Sequence, residues 1–370
     1  MKYLVSLFIV LTGIILLTSS CNDDDPSCVE ITWYQDADGD GLGNPDISLD
    51  ACEQPEGYID NSDDDDDTPG ENIYSIDESY FNSASLLSFS VVNCTLENGS
   101  STSCYQIVFK SNPVENGPYC PETIDDIGGL GIYDGNTNPG FQVMKRSLWE
   151  AMEADGYDIV DANGNITIVD PGSISGPPTS TVACLEAAPD DNLQLTFMIP
   201  VEPELLGSPD QIQIVENLGV SIDGIPLTGD PPSVTQGPPG MPGGGQAGGG
   251  IPSIDPCGGH MDPFGYYHLH FVPQEMNNVL EAYNITEVSC SNFAQSETAL
   301  VGFAKDGFPI YASKDSDGSL PSDLDACNGH TTATSDFPGG VYHYHASGTE
   351  APNIPPCLAG AAAVNSFTYR

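Results

Sequence analysis

The chain is short of cations. Its 370 residues include 7 Lys and Arg against 54 Asp and Glu, a formal net charge of −47. Phosphate contacts need Lys and Arg in number, so nucleic acid is excluded as a partner. A polybasic membrane attachment is excluded for the same reason. Beyond the N-terminus no apolar run approaches the roughly 20 residues needed to cross a bilayer. Uninterrupted helix-forming sequence is scarce, because 40 Gly and 31 Pro punctuate the chain and both interrupt helices. There is no G-x-S-x-G, no H-E-x-x-H and no P-loop, so the familiar hydrolase and nucleotide routes lack support. Histidine is rare as well. There are six, and all fall between His260 and His345.

What is present suffices for a core. Hydrophobic residues make up 39%, with 16 Tyr and 13 Phe. Segments such as LLSFSVVNC, YQIVF, DNLQLTFMIPV and QIQIVENLGVSI read as strands rich in β-branched and aromatic residues. One helix is predicted over 142–154, with Met144, Leu148, Trp149 and Met152 on one face and Gly156 as its stop. The expected class is therefore mainly β with minor α.

The N-terminus reads as an export signal. Lys2 opens a positive region, an apolar run reaches Leu17, and Thr18, Ser19, Ser20 and Cys21 follow. The run LTSSC resembles a bacterial lipobox, which implies lipidation at Cys21 and anchoring in the outer membrane. The following NDDD resembles the acidic export signals of surface lipoproteins. Residues 1–20 are thus expected to be removed, leaving an exported lipoprotein facing the cell exterior. Setting Cys21 aside leaves ten of the 11 cysteines, and in an oxidising compartment disulfides are the default reading. Cys28 and Cys52 bracket an acidic loop, and Cys94 and Cys104 flank an Asn98-Gly99 turn.

Residues 21–72 form an acidic stalk without Lys or Arg. Within it Asp36, Asp38 and Asp40 fall at alternate positions, with Gly39, Gly41 and Gly43 to allow tight turns, and Asp63, Asp64 and Asp66 belong to a later aspartate run. Closely spaced carboxylates on a turning loop supply the oxygens that Ca²⁺ prefers. The stretch resembles one copy of a thrombospondin type 3 calcium-binding repeat, so calcium is expected here. The alternative is a solvated, self-repelling linker.

The globular part is expected over 73–370, and it carries an internal repeat. GVSIDGIPL at 219–227 corresponds to GFAKDGFPI at 302–310, each with Asp-Gly between apolar arms, a hairpin signal. CGGH then leads to His268-Leu269-His270, and CNGH leads to His343-Tyr344-His345. A Tyr, Tyr267 or Tyr342, precedes each pair. The copies span 219–270 and 302–345. A Gly/Pro-rich loop, 231–252, interrupts the first. Two copies of such a unit are expected to pack with approximate two-fold symmetry.

The residues GYYHLHF, VGFAKDGFPIYA, LDACNGH and GGVYHYH resemble the YHYH-motif family of exported bacterial proteins. The likeness covers roughly 100–360 and is strongest over 255–346. It implies an exported domain and no particular activity.

Spacing carries the chemistry. Along a strand, residues i and i+2 share a face, so each H-x-H aims two imidazoles the same way. A third from the C-x-G-H turn completes a three-nitrogen set, as in catalytic zinc and many copper sites. The expected ligands are His260, His268, His270, His330, His343 and His345, holding copper or zinc in two sites or one shared site. Three roles follow: a metal-binding surface lipoprotein; a metal-dependent hydrolase or oxidase, with Asp306 or Asp262 as base; or a metal-free structural or adhesion module whose His and Tyr form a buried hydrogen-bond network. Cys257 and Cys327 are expected in disulfides, with partners such as Cys290 and Cys357, though a thiolate ligand is the other reading. Asp315, Asp317, Asp323 and Asp325 form a second acidic cluster, for calcium or for solvent.

Overall fold

The computed structural model describes residues 31–35, 43–55, 57–62, 75–173, 182–234 and 250–370. The chain divides into two compact units, Met1–Gly70 and Glu71–Arg370. In the first, strands Ile31–Gln35, Asn44–Ala51 and Tyr58–Ile59 form a three-stranded sheet with the first strand in the middle. Trp33 is its buried residue. Among the described residues no helix is long and apolar enough to cross a membrane.

The second unit is mainly β with two short α-helices, as expected of the class. Its largest sheet has eight strands: β1 (Asn217–Ser221), β2 (Pro226–Thr228), β3 (Gly259–Met261), β4 (Tyr267–Leu269), β5 (Leu300–Ala304), β6 (Pro309–Tyr311), β7 (Gly329–Thr332) and β8 (Val341–His345). Their spatial order is β3-β4-β2-β1-β5-β6-β8-β7. Read outward from the β1–β5 contact, both halves present the same sequence: hairpin arm, second arm, H-x-H strand, C-x-G-H strand. The central pairing is itself reciprocal. Gly219 faces Ala304, Ser221 faces Gly302, and Val220 meets Phe303 between them. Both Asp-Gly hairpins form, as β1–β2 and β5–β6.

A four-stranded antiparallel sheet adjoins this one: Leu86–Thr95, Ser101–Lys110, Gln194–Pro200 and Phe367–Tyr369. Its Phe109 and the eight-stranded sheet's Phe303 both pack on Phe81. Together they belong to one large apolar core. Cys94–Cys104 bridges the hairpin arms around Asn98-Gly99, as the sequence suggested. Cys120–Cys184, which local sequence did not suggest, closes a smaller core around Trp149. Cys52 is disulfide-bonded, and Cys28 lies outside the described residues.

Two element boundaries differ from expectation. The helix α1 is Arg146–Ala154, and Gly140–Val143 is a strand paired with Leu130–Tyr133. The apolar pattern of 141–144 therefore serves a hairpin before the helix begins. QIQIVENLGVSI is not one strand: Gln211 ends one, 212–216 lie outside any strand, and Asn217–Ser221 is the next. Val215 takes a φ of 54°, and Glu216 donates its N–H to the Gln213 carbonyl, so a turn breaks the run.

Candidate metal centres

Each centre is built on a D-x-C-x-G-H turn. In the first, Asp255 Oδ1 accepts the N–H groups of Cys257 (2.9 Å) and Gly259 (3.1 Å). In the second, Asp325 Oδ1 accepts those of Cys327 (2.8 Å) and Gly329 (3.0 Å). The residue before the glycine adopts a positive φ, 90° at Gly258 and 60° at Asn328. Gly and Asn are the residues that tolerate this backbone. The glycine after it is required by space. A Cβ on Gly259 would lie 2.4 Å from the Tyr267 hydroxyl, and one on Gly329 would lie 2.1 Å from that of Tyr342. Those hydroxyls donate to Oδ2 of Asp255 (2.9 Å) and of Asp325 (2.8 Å). The tyrosine preceding each H-x-H thus locks its strand onto the turn.

Register then sets the histidines. His260 faces His268 across β3–β4, and His330 faces His343 across β7–β8. In the first trio the three Nε2 atoms lie 3.0–3.2 Å apart, and in the second 3.1–3.2 Å. No grouping mixes the trios, so the alternative of one shared six-histidine site is overturned. The reason is that each trio closes within its own strand pair, and the two pairs sit at opposite ends of the sheet.

The far sides of the rings are held by acceptors. His260 Nδ1 donates to the Ser253 carbonyl (3.0 Å), and His330 Nδ1 donates to Asp323 Oδ1 (2.9 Å). His270 Nδ1 donates to the Gly229 carbonyl, and His345 Nδ1 to that of Ala312 (2.7 Å). His343 Nδ1 donates to the Val341 carbonyl (2.9 Å). His268 Nδ1 makes no hydrogen bond within geometric limits, although the Tyr266 carbonyl still favours its proton. A carbonyl only accepts, so it fixes the proton on Nδ1 and leaves Nε2 as a bare lone pair.

Burial opposes protonation of these rings. It pushes His260 and His343 down to about 4. His268 and His270 lie well below the ordinary imidazole value, from burial first and then from the neighbouring imidazoles. His345 is lowered by burial too. The two lysines of this stretch are paired elsewhere, Lys305 with Glu216 and Lys314 with Glu297.

The second centre holds one residue more. Asp315 Oδ1 lies 3.1 Å from His330 Nε2 and 3.4 Å from His345 Nε2. Among the described residues, the groups that could hold a metal ion are therefore His260, His268 and His270, and His330, His343 and His345 with Asp315. Three nitrogens 3.0–3.2 Å apart are close enough that all three would reach a single cation. A cleft of about 690 Å³ lies beside His345, lined also by Glu281, Glu297, Lys314, Leu320 and Glu350.

The chain's match to known proteins falls on these elements. Residues 196–321 and 316–360 match the family described as YHYH protein. The match supports a YHYH domain over residues 196–360. No curated protein and no solved structure matches the chain. In this domain the Y-H-x-H tetrads are Tyr267–His270 and Tyr342–His345, and each forms one wall of a trio.

The remaining candidates separate. Cys257–Cys290 and Cys327–Cys357 are disulfides, so neither turn cysteine is a thiolate ligand. Asp306 is buried and bonded to the hydroxyl of Tyr344, on the strand face opposite His343 and His345. It therefore does not reach the YHYH trio as a base. Asp262 accepts the N–H of Phe264 and holds the β3–β4 turn. The acidic cluster at 315–325 is divided among a trio, a ring and two turns, which removes it as a single calcium cage. Asp317 accepts from Ser319, and the others act as given above. Asp36, Asp38, Asp40, Asp63, Asp64 and Asp66, the expected calcium ligands, and Cys21, the expected lipid site, lie outside the described residues.

Sequence reasoning missed Asp255, and it grouped Asp315 and Asp325 in an acidic cluster without their roles at the trio and the turn. Asp255 and Asp325 stand two residues before the cysteine in both copies, a signal that the shorter C-x-G-H motif discards. Asp315 has no such mark, because its place beside the YHYH trio depends on how the 313–326 connection folds back.

Proposed function

We propose that this is an exported surface lipoprotein whose YHYH domain binds a transition metal, copper or zinc, at two separate three-histidine centres. The second trio carries the reading. Every Nδ1 there has an acceptor, so three lone pairs and a carboxylate oxygen converge with no proton between them. Such a set is mutually repulsive until a cation enters it. Imidazole and carboxylate suit zinc and copper, and the low count of cations favours a positive guest. The stalk, through Asp36, Asp38, Asp40, Asp63, Asp64 and Asp66, is proposed to bind calcium, and Cys21 to carry the lipid anchor to the outer membrane.

Metal analysis of the full chain, exported to an oxidising compartment, tests this. The expected result is two transition-metal ions per chain, both lost in a His268→Ala, His343→Ala double variant. Only trace metal in the parent chain would leave the metal-free network as the better reading. Saturable calcium uptake that Asp36→Asn, Asp38→Asn, Asp40→Asn abolishes supports the stalk reading. Release of a Cys21→Ser chain from the membrane fraction supports the anchor.

A metal-dependent enzyme uses the same centres. It would need an open coordination position, because a metal activates water only where water can bind.

A further inference from the structure

We infer that the two centres differ in kind: the His260–His268–His270 centre takes an external neutral donor on its metal, and the His330–His343–His345 centre is closed by Asp315. This rests on the proposed metal binding and assigns the open position within it. Four protein ligands saturate a tetrahedral ion, whereas three leave one position for water or substrate. Asp315 Oδ1 stands within 3.4 Å of two of the second trio's nitrogens, which is ligand-to-ligand spacing around one ion. Among the described residues no carboxylate, thiol or further imidazole joins the first trio.

The sequence explains the difference. The carbonyls of Gly229 and Ala312 hold equivalent rings, His270 and His345. Three residues beyond Ala312 stands Asp315, and three beyond Gly229 stands Pro232. From Pro231 to Pro252 there is no Asp, Glu, His or Cys, and the carboxylate that precedes this stretch, Asp230, does not join the first trio. His260 keeps a partly exposed edge, while His268 and His270 are buried. The cleft beside the second centre touches only His345 of its four ligands. It therefore does not open onto the convergence point.

Charge bears on the ligand class: a chain at −47 disfavours the approach of anions at long range, which favours a neutral nitrogen or oxygen donor.

Cobalt substitution with neutral imidazole as the probe reads this directly. In the unmodified full chain two cobalt ions are expected, and imidazole should shift the visible bands of one. The responding ion should remain in His343→Ala and vanish in His268→Ala. Asp315→Ala should make the second ion respond as well and weaken its binding about 10-fold or more. Imidazole shifting both ions, neither, or only the ion lost in His343→Ala overturns the inference while leaving metal binding intact. Failure of the unmodified chain to bind any cobalt removes both this inference and the proposed function.

Discussion

The two histidine trios share most of their supporting devices and differ by one candidate ligand oxygen. Both have an aspartate-capped turn, a left-handed residue, a glycine that makes room for a tyrosine ring, a disulfide and a carbonyl behind the last imidazole. Only the second has Asp315. The shared parts teach what is needed to aim three Nε2 atoms at one point. The odd part shows that coordination number is set by a connection and not by the strands.

The largest expected effect tests the shared parts. His268→Ala with His343→Ala should abolish transition-metal uptake, and each single variant should remove one ion. Elemental analysis checks it; a single variant that removed both ions would mean that the centres are coupled and not parallel.

Next come the disulfides. Cys257–Cys290 and Cys327–Cys357 span 33 and 30 residues, so breaking either should cost a similar amount, about 3 kcal/mol. Denaturant unfolding of the two Cys→Ser variants measures this, and a difference of several kcal/mol between them would break the parallel.

The turn aspartates should differ more. Asp255 is buried at 1% exposure, whereas Asp325 is exposed. Asp255→Ala strands buried N–H groups of Cys257 and Gly259, for a cost of about 3 kcal/mol. Asp325→Ala lets water replace the carboxylate, for about 1 kcal/mol. Equal losses in thermal unfolding would show that burial of the turn does not matter.

Acid gives the smallest and most graded effect, in the metal-free chain. His260 and His343 titrate in the folded state at about 4, against an ordinary 6.5. Between those values the unfolded chain holds more protons, so stability is lost as pH falls, by about 1 kcal/mol per pH unit for each histidine. Asp255 has the opposite sign. Burial raises it to about 6 from 3.8, so its contribution is lost as pH rises, and it offsets part of the first trio's dependence. Melting temperature should therefore drop on acidification from about 6.5 to about 4, and His343→Gln and His260→Gln should each flatten the drop by a similar amount. An unchanged melting temperature across that range would contradict the burial of these rings.

Much of this was legible because it is local. H-x-H alternation, the Asp-Gly hairpins and the C-x-G-H spacing are read within about ten residues, and strand pleating converts them directly into shared faces. The start of α1 was misread because 141–144 satisfies both a helical and a strand pattern, and only pairing with Leu130–Tyr133 decides between them. The break at Val215 was hidden because no Gly or Pro marks the turn, which falls at Val215-Glu216 within an otherwise strand-like run. Cys120–Cys184 joins segments 64 residues apart, a distance over which spacing carries no information.

By itself the sequence determined that this is an acidic, β-rich chain with two matched sets of three imidazoles, since charge, composition and short-range periodicity need no partner to be read. Tertiary structure alone decided that the sets close separately, that acceptors behind five of the six rings, four carbonyls and the Asp323 carboxylate, fix their protons, and that Asp315 joins one set and nothing equivalent joins the other. Those outcomes depend on which distant backbone oxygen or carboxylate a folded connection delivers to within about 3 Å, and no local pattern encodes such a meeting.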